Sequence, residues 1–359
     1  MRKSEFDNVE ITGISVATPS GKVPVENYHD IFGEEAVIKF KKMTGVESVA
    51  RSKPEQTASD LGYEAAAQLI SNQQIDTNEI GLLLFVSQKP DYRIPSTAYV
   101  LHNRLGLSNA CTCFDINLAC SGYIYGLSTV FSLLQNSEKK KALLITADTS
   151  VKTLSPKDRT MIMLFGDSGS ATLIEKNNQP VQSKFAFKSD GNRFKSIITP
   201  SGAYRNRNKS FKREEWSDGI VRSDYDTHMK GMDVFGFSIT DVPALMKEFL
   251  ENTQTSVDDY DYFALHQANK YILKQISRKL KIPMEKIPIV LDRYGNNSSN
   301  SIPLVISDHF GSKNEGGHRY FMCGFGAGLS WACGDITIKN EHVLNIFKTD
   351  NYYKKGRLS

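Results

Sequence analysis

Hydrophobic residues along this chain switch repeatedly between a two-residue and a three-to-four-residue period, which predicts alternating strands and helices. Residues 9–17 alternate as a strand and end at Thr18-Pro-Ser-Gly21, and 25–43 then read as helical. A further helix is predicted over 57–72, with Ala58, Leu61, Ala65, Leu69 and Ile70 on one face and Thr57 or Ser59 as its cap. Residues 80–86 are almost continuously apolar, a pattern that suits a strand covered on both faces. After a helix over 96–105, residues 113–119 read as a strand, and Tyr123, Leu127, Val130, Phe131 and Leu134 place a helix over 120–135. Another buried strand follows at 142–147, and Gly166-Asp-Ser-Gly-Ser170 enters one more that runs to Ile174.

The pattern loosens over 184–230, where Arg205, Arg207, Lys209, Lys212 and Arg213 stand among polar and aromatic residues, and this segment reads as an insertion or cover. Order returns with a helix over 234–252, despite Pro243, and a strand over 260–265 that ends at His266-Gln-Ala-Asn269. From here the chain repeats its first half. Helix 270–280 matches 96–105. Strand 287–291 and the turn Gly295-Asn-Asn-Ser298, opening a helix over 301–310, match 113–119 and Cys120. Gly324-Phe-Gly-Ala-Gly328 before 329–333 matches Gly166 to Ser170 before its strand. A repeat at about 180 residues predicts an α/β fold of two similar halves, 1–183 and 231–340, with a tail over 341–359.

Composition narrows the function. A chain of 359 residues with 40% hydrophobic and 23% charged residues and a formal charge of +4 has ample core and too little charge to favour nucleic acid. Its five cysteines, Cys111, Cys113, Cys120, Cys323 and Cys333, are odd in number and lack metal-ligand spacing, which argues against a disulfide framework and a zinc site. The N-terminus lacks the apolar core of a signal peptide, and no stretch approaches the roughly 18 residues of a membrane span. The expectation is a cytoplasmic protein.

Cys120 falls where a strand gives way to a helix. The free N–H groups and positive dipole end of a first helical turn stabilise a thiolate, and the same donors can hold an oxyanion. The competing reading is a small buried residue at a tight turn. His266 at a strand end and Asn296 after a glycine each have an ordinary structural reading too, and Asn297 competes with Asn296 for the same role.

Together, Ala119-Cys-Ser-Gly-Tyr123, Ser155-Pro-Lys-Asp-Arg159 with Leu164-Phe-Gly-Asp167, His266-Gln-Ala-Asn269, Tyr294-Gly-Asn-Asn-Ser298 and Gly324-Phe-Gly-Ala-Gly328 resemble the β-ketoacyl-acyl-carrier-protein synthase III branch of the thiolase superfamily. The resemblance covers about residues 9 to 337. It implies a five-layered α-β-α-β-α thiolase-like fold of two duplicated halves, a homodimer, and a catalytic set of Cys120, His266 and Asn296. It further implies an oxyanion site at the backbone N–H groups of Cys120 and Ala327, and contacts to substrate or its pantetheine arm from Asn269, Arg159, Ile94 and Gly326. The substrates are acyl-CoA or acyl-carrier-protein thioesters, and no cofactor or metal is implied.

Thioester chemistry of this kind needs a thiolate to capture the acyl group, and neutral N–H donors for the enolate left when a malonyl thioester loses CO2. Departures from the family pattern bear on substrate. Lys39, Met43 and Tyr271 stand where acetyl-CoA-primed members carry the tryptophan and arginines that clamp the coenzyme, and Ile94 stands for a phenylalanine. These changes favour another or larger acyl group, delivered on an acyl carrier protein. Lys270, Lys274 and Arg278 recur at helical spacing and form the candidate docking face. Three other readings stay open: acyl transfer to an amine or hydroxyl without decarboxylation, a papain-type thiol hydrolase, and a catalytically silent partner subunit.

Overall fold

In the computed structural model, which describes residues 2–177, 181–311, 313 and 316–356, two β-sheets are stacked with helices between them and on both outer faces. The first sheet has the order Phe347–Lys348, Val9–Thr18, Ser168–Lys176, Lys141–Asp148, Ile80–Val86, Thr112–Ile116. The second runs Arg2–Phe6, Ser183–Ser189, Ser330–Lys339, Gly317–Gly326, Tyr262–Leu265. From Val9–Thr18 to Ile80–Val86 the pairings are antiparallel, antiparallel, then parallel. From Ser183–Ser189 to Tyr262–Leu265 they repeat that sequence. The duplication therefore shows in topology as well as in sequence.

Helices Gly122–Gln135 and Ser301–Phe310 fill the space between the sheets, which is why both are buried on nearly every side. Tyr123, Leu127, Phe131, Leu304 and Phe310 pack there with residues of both sheets. Ala58–Asn72 and Thr97–Arg104 cover the outer face of the first sheet, and Gly231–Thr253 with Lys270–Leu280 that of the second. These are the five layers. Each large side chain sequestered this way contributes roughly 1.5–3 kcal/mol. Ile80–Val86 is buried at every position, as its unbroken apolar run predicts. Thr57 caps Ala58–Asn72 in a capping box with Asp60.

Several boundaries need correction. Residues 25–43 form two short helical turns and a helix Glu34–Thr44, interrupted at Gly33 with φ +83°. The strand predicted over 113–119 ends at Ile116, because Leu118 N–H turns back to the Ile116 carbonyl. The cover segment does not begin at 184, since Ser183–Ser189 is an internal strand whose Phe185 packs against Phe6 and Phe131. Residues 287–290 form no strand. Pro288 has no N–H to give a ladder, and the Gln267 side chain takes a neighbour's place, donating to the Pro288 carbonyl and accepting from Val290 N–H. Within 341–359, Phe347–Lys348 joins the first sheet, and Gln56 donates to the Thr349 and Asn351 carbonyls.

Candidate active site

Cys120 lies in the connection between Thr112–Ile116 and Gly122–Gln135, on the inner side of the first sheet. Gly326, at the end of the second sheet's strand, passes directly over it. A Cβ at 326 would stand 2.7 Å from Cys120 Cβ and 3.1 Å from its Sγ, so the backbone approach needs glycine. The turn after Gly326 is tied to the start of the helix by the Ser121 and Ser330 hydroxyls, 2.7 Å apart, and Ser330 Oγ donates to the Ala327 carbonyl at 2.9 Å. Neither the Cys120 nor the Ala327 amide N–H is used by a carbonyl in this loop network.

His266 ends the strand Tyr262–Leu265 and is fixed by its own N–H on the Cys323 carbonyl. Its ring meets Phe325 edge to face, with centroids 5.2 Å apart, and its Nδ1 stands 3.0 Å from Ser301 Oγ. Asn296 is held by backbone bonds that cross between the halves, its N–H to the Leu164 carbonyl and its carbonyl to Gly166 N–H. Gly295, at φ +69°, makes this crossing possible, because a Cβ there would lie 2.5 Å from the Leu164 oxygen. Asn296 Oδ1 accepts Ser298 N–H at 2.9 Å, which leaves the amide NH2 available. Asn297 gives its NH2 to the Tyr294 and Gly295 carbonyls and so acts within the turn.

The three candidate residues thus meet around one polar turn, Ser298 to Ser301. Cys120 S–H donates to Ser298 Oγ at 3.9 Å, while Ser299 Oγ donates to buried Asp148 at 3.0 Å. Asn300 anchors the turn to the first sheet through Thr146, Ser168 and Ser170.

Burial pushes the Cys120 thiol up to about 12. The Ser298 hydroxyl and Lys89 ammonium favour the thiolate, and the Asp148 carboxylate opposes it. Desolvation thus holds the sulfur as a thiol against the pull of the Ser298 hydroxyl and Lys89. Burial likewise brings His266 down to about 3, so its imidazole is neutral. The site is a thiol and a neutral ring, not an ion pair.

Residues 114–191 match the family described as 3-oxoacyl-[acyl-carrier-protein] synthase III, and 250–338 match its C-terminal family. A β-ketoacyl-[acyl-carrier-protein] synthase III of Clostridium perfringens is 33% identical, over 92% of this chain and 99% of its own length. One from Streptococcus suis is 34% identical over 77% and 83%. The chain belongs to the synthase III family. It is a condensing acyltransferase with the thiolase fold. A 3-oxoacyl-(acyl-carrier protein) synthase from Burkholderia xenovorans superposes with a TM-score of 0.91 at 32% identity, covering 97% of this chain and 99% of that one. The priming β-ketosynthase of the R1128 polyketide pathway shares the fold, with a TM-score of 0.79 at 23% identity.

The other residues that the synthase III pattern singles out are dispersed. Asn269 is half-buried and caps the helix Lys270–Leu280, its Oδ1 accepting Ile272 N–H. Arg159 is exposed on the turn after Ser155-Pro156. Ile94 is 81% exposed and makes no part of the Cys120 site within one chain. Lys270, Lys274 and Arg278 are all exposed on one helix, as the spacing predicts. A cleft of about 300 Å³ opens beside them, lined by Lys41, Lys42, Lys270, Tyr271 and Lys274, with Glu47 and Asp292 on the same rim. A larger cleft, about 730 Å³, lies under the C-terminal segment near Arg104 and Tyr353, away from Cys120. Among the described residues no helix is long and apolar enough to cross a membrane, and no cluster of three metal-binding side chains occurs.

Ser301 and Asp148 lie outside the sequence motifs, and Ser298 and Phe325 stand within them without an assigned role. The run Ser298-Ser-Asn-Ser301 ahead of an apolar helix was the available signal.

Proposed function

We propose that Cys120 takes an acyl group from a thioester and that His266 and Asn296 support its decarboxylative condensation with a malonyl-type thioester, giving a β-ketoacyl thioester. Convergence of Cys120, His266 and Asn296 on the Ser298–Ser301 turn carries this reading. Cys120 sulfur bonds to the donor's carbonyl carbon and the donor's carbon–sulfur bond breaks. The donor thiol leaves with the hydrogen Cys120 gives up, and the Cys120 and Ala327 N–H groups hold the transient oxyanion.

In the second stage the malonyl carbon–carboxylate bond breaks and CO2 departs. The electron pair moves to the thioester oxygen, which His266 Nε2–H and Asn296 Nδ2–H hold as an enolate. Ser301 Oγ is 3.0 Å from both His266 Nδ1 and the Ser298 carbonyl and can give its hydrogen to either; giving it to Nδ1 puts the ring hydrogen on Nε2. A ring at about 3 can donate this way without delivering a proton that quenches the carbanion. The enolate carbon attacks the acyl carbon, and Cys120 leaves as thiolate and is reprotonated.

An acyl carrier protein delivers one or both thioesters, docking on the lysine-lined cleft. Met43, Lys39 and Tyr271, all exposed, replace a coenzyme clamp and favour a primer other than acetyl-CoA. The enzyme acts as a cytoplasmic homodimer without a cofactor, and exposed Ile94 is available to the second copy's acyl pocket. Incubation with a panel of acyl-CoA and acyl-carrier-protein thioesters, read by intact mass and released CO2, tests this. An acyl adduct absent from Cys120→Ala, and malonyl-dependent CO2, are expected. An adduct discharged to amines or alcohols without CO2 supports acyl transfer instead, and β-ketoacyl product from Cys120→Ala overturns the mechanism.

A further inference from the structure

Ser298 meets every member of the reacting set. Its N–H donates to Asn296 Oδ1, its carbonyl stands within hydrogen-bond reach of the Ser301 hydroxyl, which can turn its hydrogen to His266 Nδ1 instead, and its own hydroxyl accepts the Cys120 S–H. It is 4% exposed and adopts φ +50°, a left-handed conformation that costs a residue with a side chain roughly 1–2 kcal/mol. The cost is met by a turn that Asn300 pins to three residues of the first sheet. That conformation places the amide, carbonyl and hydroxyl of one residue against three different partners.

The two hydroxyls of the turn have separate targets. Ser298 Oγ touches the sulfur, whereas Ser301 Oγ touches the ring nitrogen. Removing Ser298 Oγ leaves its N–H and carbonyl in place, so Asn296 and His266 keep their contacts. Removing Ser301 Oγ leaves Cys120 and Ser298 Oγ untouched but deprives Nδ1 of the donor that sets hydrogen on Nε2.

We propose that Ser298 and Ser301 are positioning residues that divide the reaction between them, Ser298 serving acylation at Cys120 and Ser301 serving the His266 step on the malonyl thioester. The inference rests on the condensing reaction proposed above.

The two half-reactions are measured separately in Ser298→Ala, Ser298→Gly and Ser301→Ala: acyl-Cys120 formation by rapid-quench intact mass, and CO2 release from malonyl thioester. Ser298→Ala should slow acylation about tenfold, the rate equivalent of one hydrogen bond, and raise the pH at which Cys120 is alkylated by iodoacetamide, with CO2 release within about twofold of wild type. Ser298→Gly relieves the backbone cost yet lacks the hydroxyl, so it should match the alanine variant; recovery of wild-type acylation in the glycine variant would mean backbone strain, not the hydroxyl, and would overturn the role. Ser301→Ala should show the reverse split, with CO2 release down about tenfold, acylation nearly intact, and the 15N shifts of the His266 ring moved away from the Nε2–H form. Equal loss of both half-reactions in Ser298→Ala and Ser301→Ala, or unmoved ring shifts, would sink the division of labour while leaving the condensing function standing. A wild-type protein that forms no acyl-Cys120 and releases no CO2 removes the proposed function, and this inference with it.

Discussion

The connection that carries Cys120 and the one that carries Asn296 occupy corresponding places in two copies of one fold, yet they are built by different means. In the first half Thr112–Ile116 is a full strand, laddered in parallel on Leu82–Val86, and the chain passes from it through five residues into Gly122–Gln135. In the second half the ladder is gone. The Gln267 side chain replaces it, a short helix Leu291–Tyr294 intervenes, and Asn296 is stapled to residues of the first half before Ser301–Phe310 begins. A ladder uses up main-chain groups in one direction and delivers a residue to the end of a rigid track. A side-chain substitute frees the backbone to wander across to the other half. In the mechanism we propose, one scaffold thereby presents a nucleophile from one copy and enolate donors from the other.

The sharpest way to break this comparison is to remove each contribution in turn. Cys120→Ala should lose acyl-enzyme and product by a factor of 10³ or more, an order-of-magnitude figure for removal of a covalent nucleophile. His266→Ala and Asn296→Ala should still acylate Cys120, while condensation falls on the order of 10²–10³, as for loss of an oxyanion donor. Equal loss of acylation in all three, read by intact mass, would show that the two junctions do not divide the chemistry.

Gly326 tests how closely the halves approach. Its replacement by alanine places a methyl group 2.7 Å from Cys120 Cβ, which the sulfur must leave. Acylation should fall about 100-fold for a folding cost of roughly 1–3 kcal/mol. Intact acylation kinetics would contradict the tight approach.

Gln267 tests the substitute ladder itself. Gln267→Leu strands the Pro288 carbonyl and Val290 N–H in a fully buried place and should cost about 2–4 kcal/mol in urea unfolding, since each orphaned buried group costs roughly 1–3 kcal/mol. A change under about 1 kcal/mol would mean that the 287–290 segment is held by packing alone.

How far the sequence revealed this depended on whether an element's chemistry is periodic. Ile80–Val86 and the helices Ala58–Asn72 and Gly122–Gln135 bury faces that repeat regularly, and their pattern is readable. Gly317–Gly326 is not legible, because three glycines and a run of mixed residues hide a strand that is buried by its neighbours rather than by its own alternation. Ser183–Ser189 resembles the cover segment that follows it, because its outer positions carry lysines. At 287–290 the apolar run looked like a strand, but Pro288 and the distant Gln267 decided otherwise. Cys120, His266 and Asn296 were legible as motifs. The contacts of Ser298 and Ser301 are not, because they come from a left-handed backbone at 298 and from partners distant in the chain, which no spacing encodes.

The buried ring also makes a pH prediction. With His266 at about 3 in the folded chain and an ordinary value near 6.5 when unfolded, the unfolded state binds the extra proton between those pH values. Its contribution to stability is complete above about 6.5 and is lost as pH falls, at a slope approaching about 1.4 kcal/mol per pH unit. The difference in unfolding free energy between wild type and His266→Asn, followed from pH 7 to pH 5, isolates this slope from those of His309 and His318, whose rings burial also shifts down. A difference that stays constant with pH would place a charged or solvated ring in the site.

The smallest expected effect concerns the outside of the second half, where Lys270–Leu280 starts at the cap next to His266. Lys270, Lys274 and Arg278 share an exposed face with Lys41 and Lys42 nearby across the cleft, and the first half's corresponding helix, Thr97–Arg104, carries no such row. Exposed charges of this kind add little to stability and act mainly through encounter with an oppositely charged partner. Reversing all three to glutamate should lower turnover with an acyl carrier protein severalfold, chiefly through KM, and flatten its salt dependence. Acylation by a small soluble thioester should be unchanged, because such a donor has no acidic protein surface for those charges to attract. A parallel fall with both donors would assign the lysine row to the integrity of the His266 end of the fold rather than to docking, and would make the two outer helices equivalent after all.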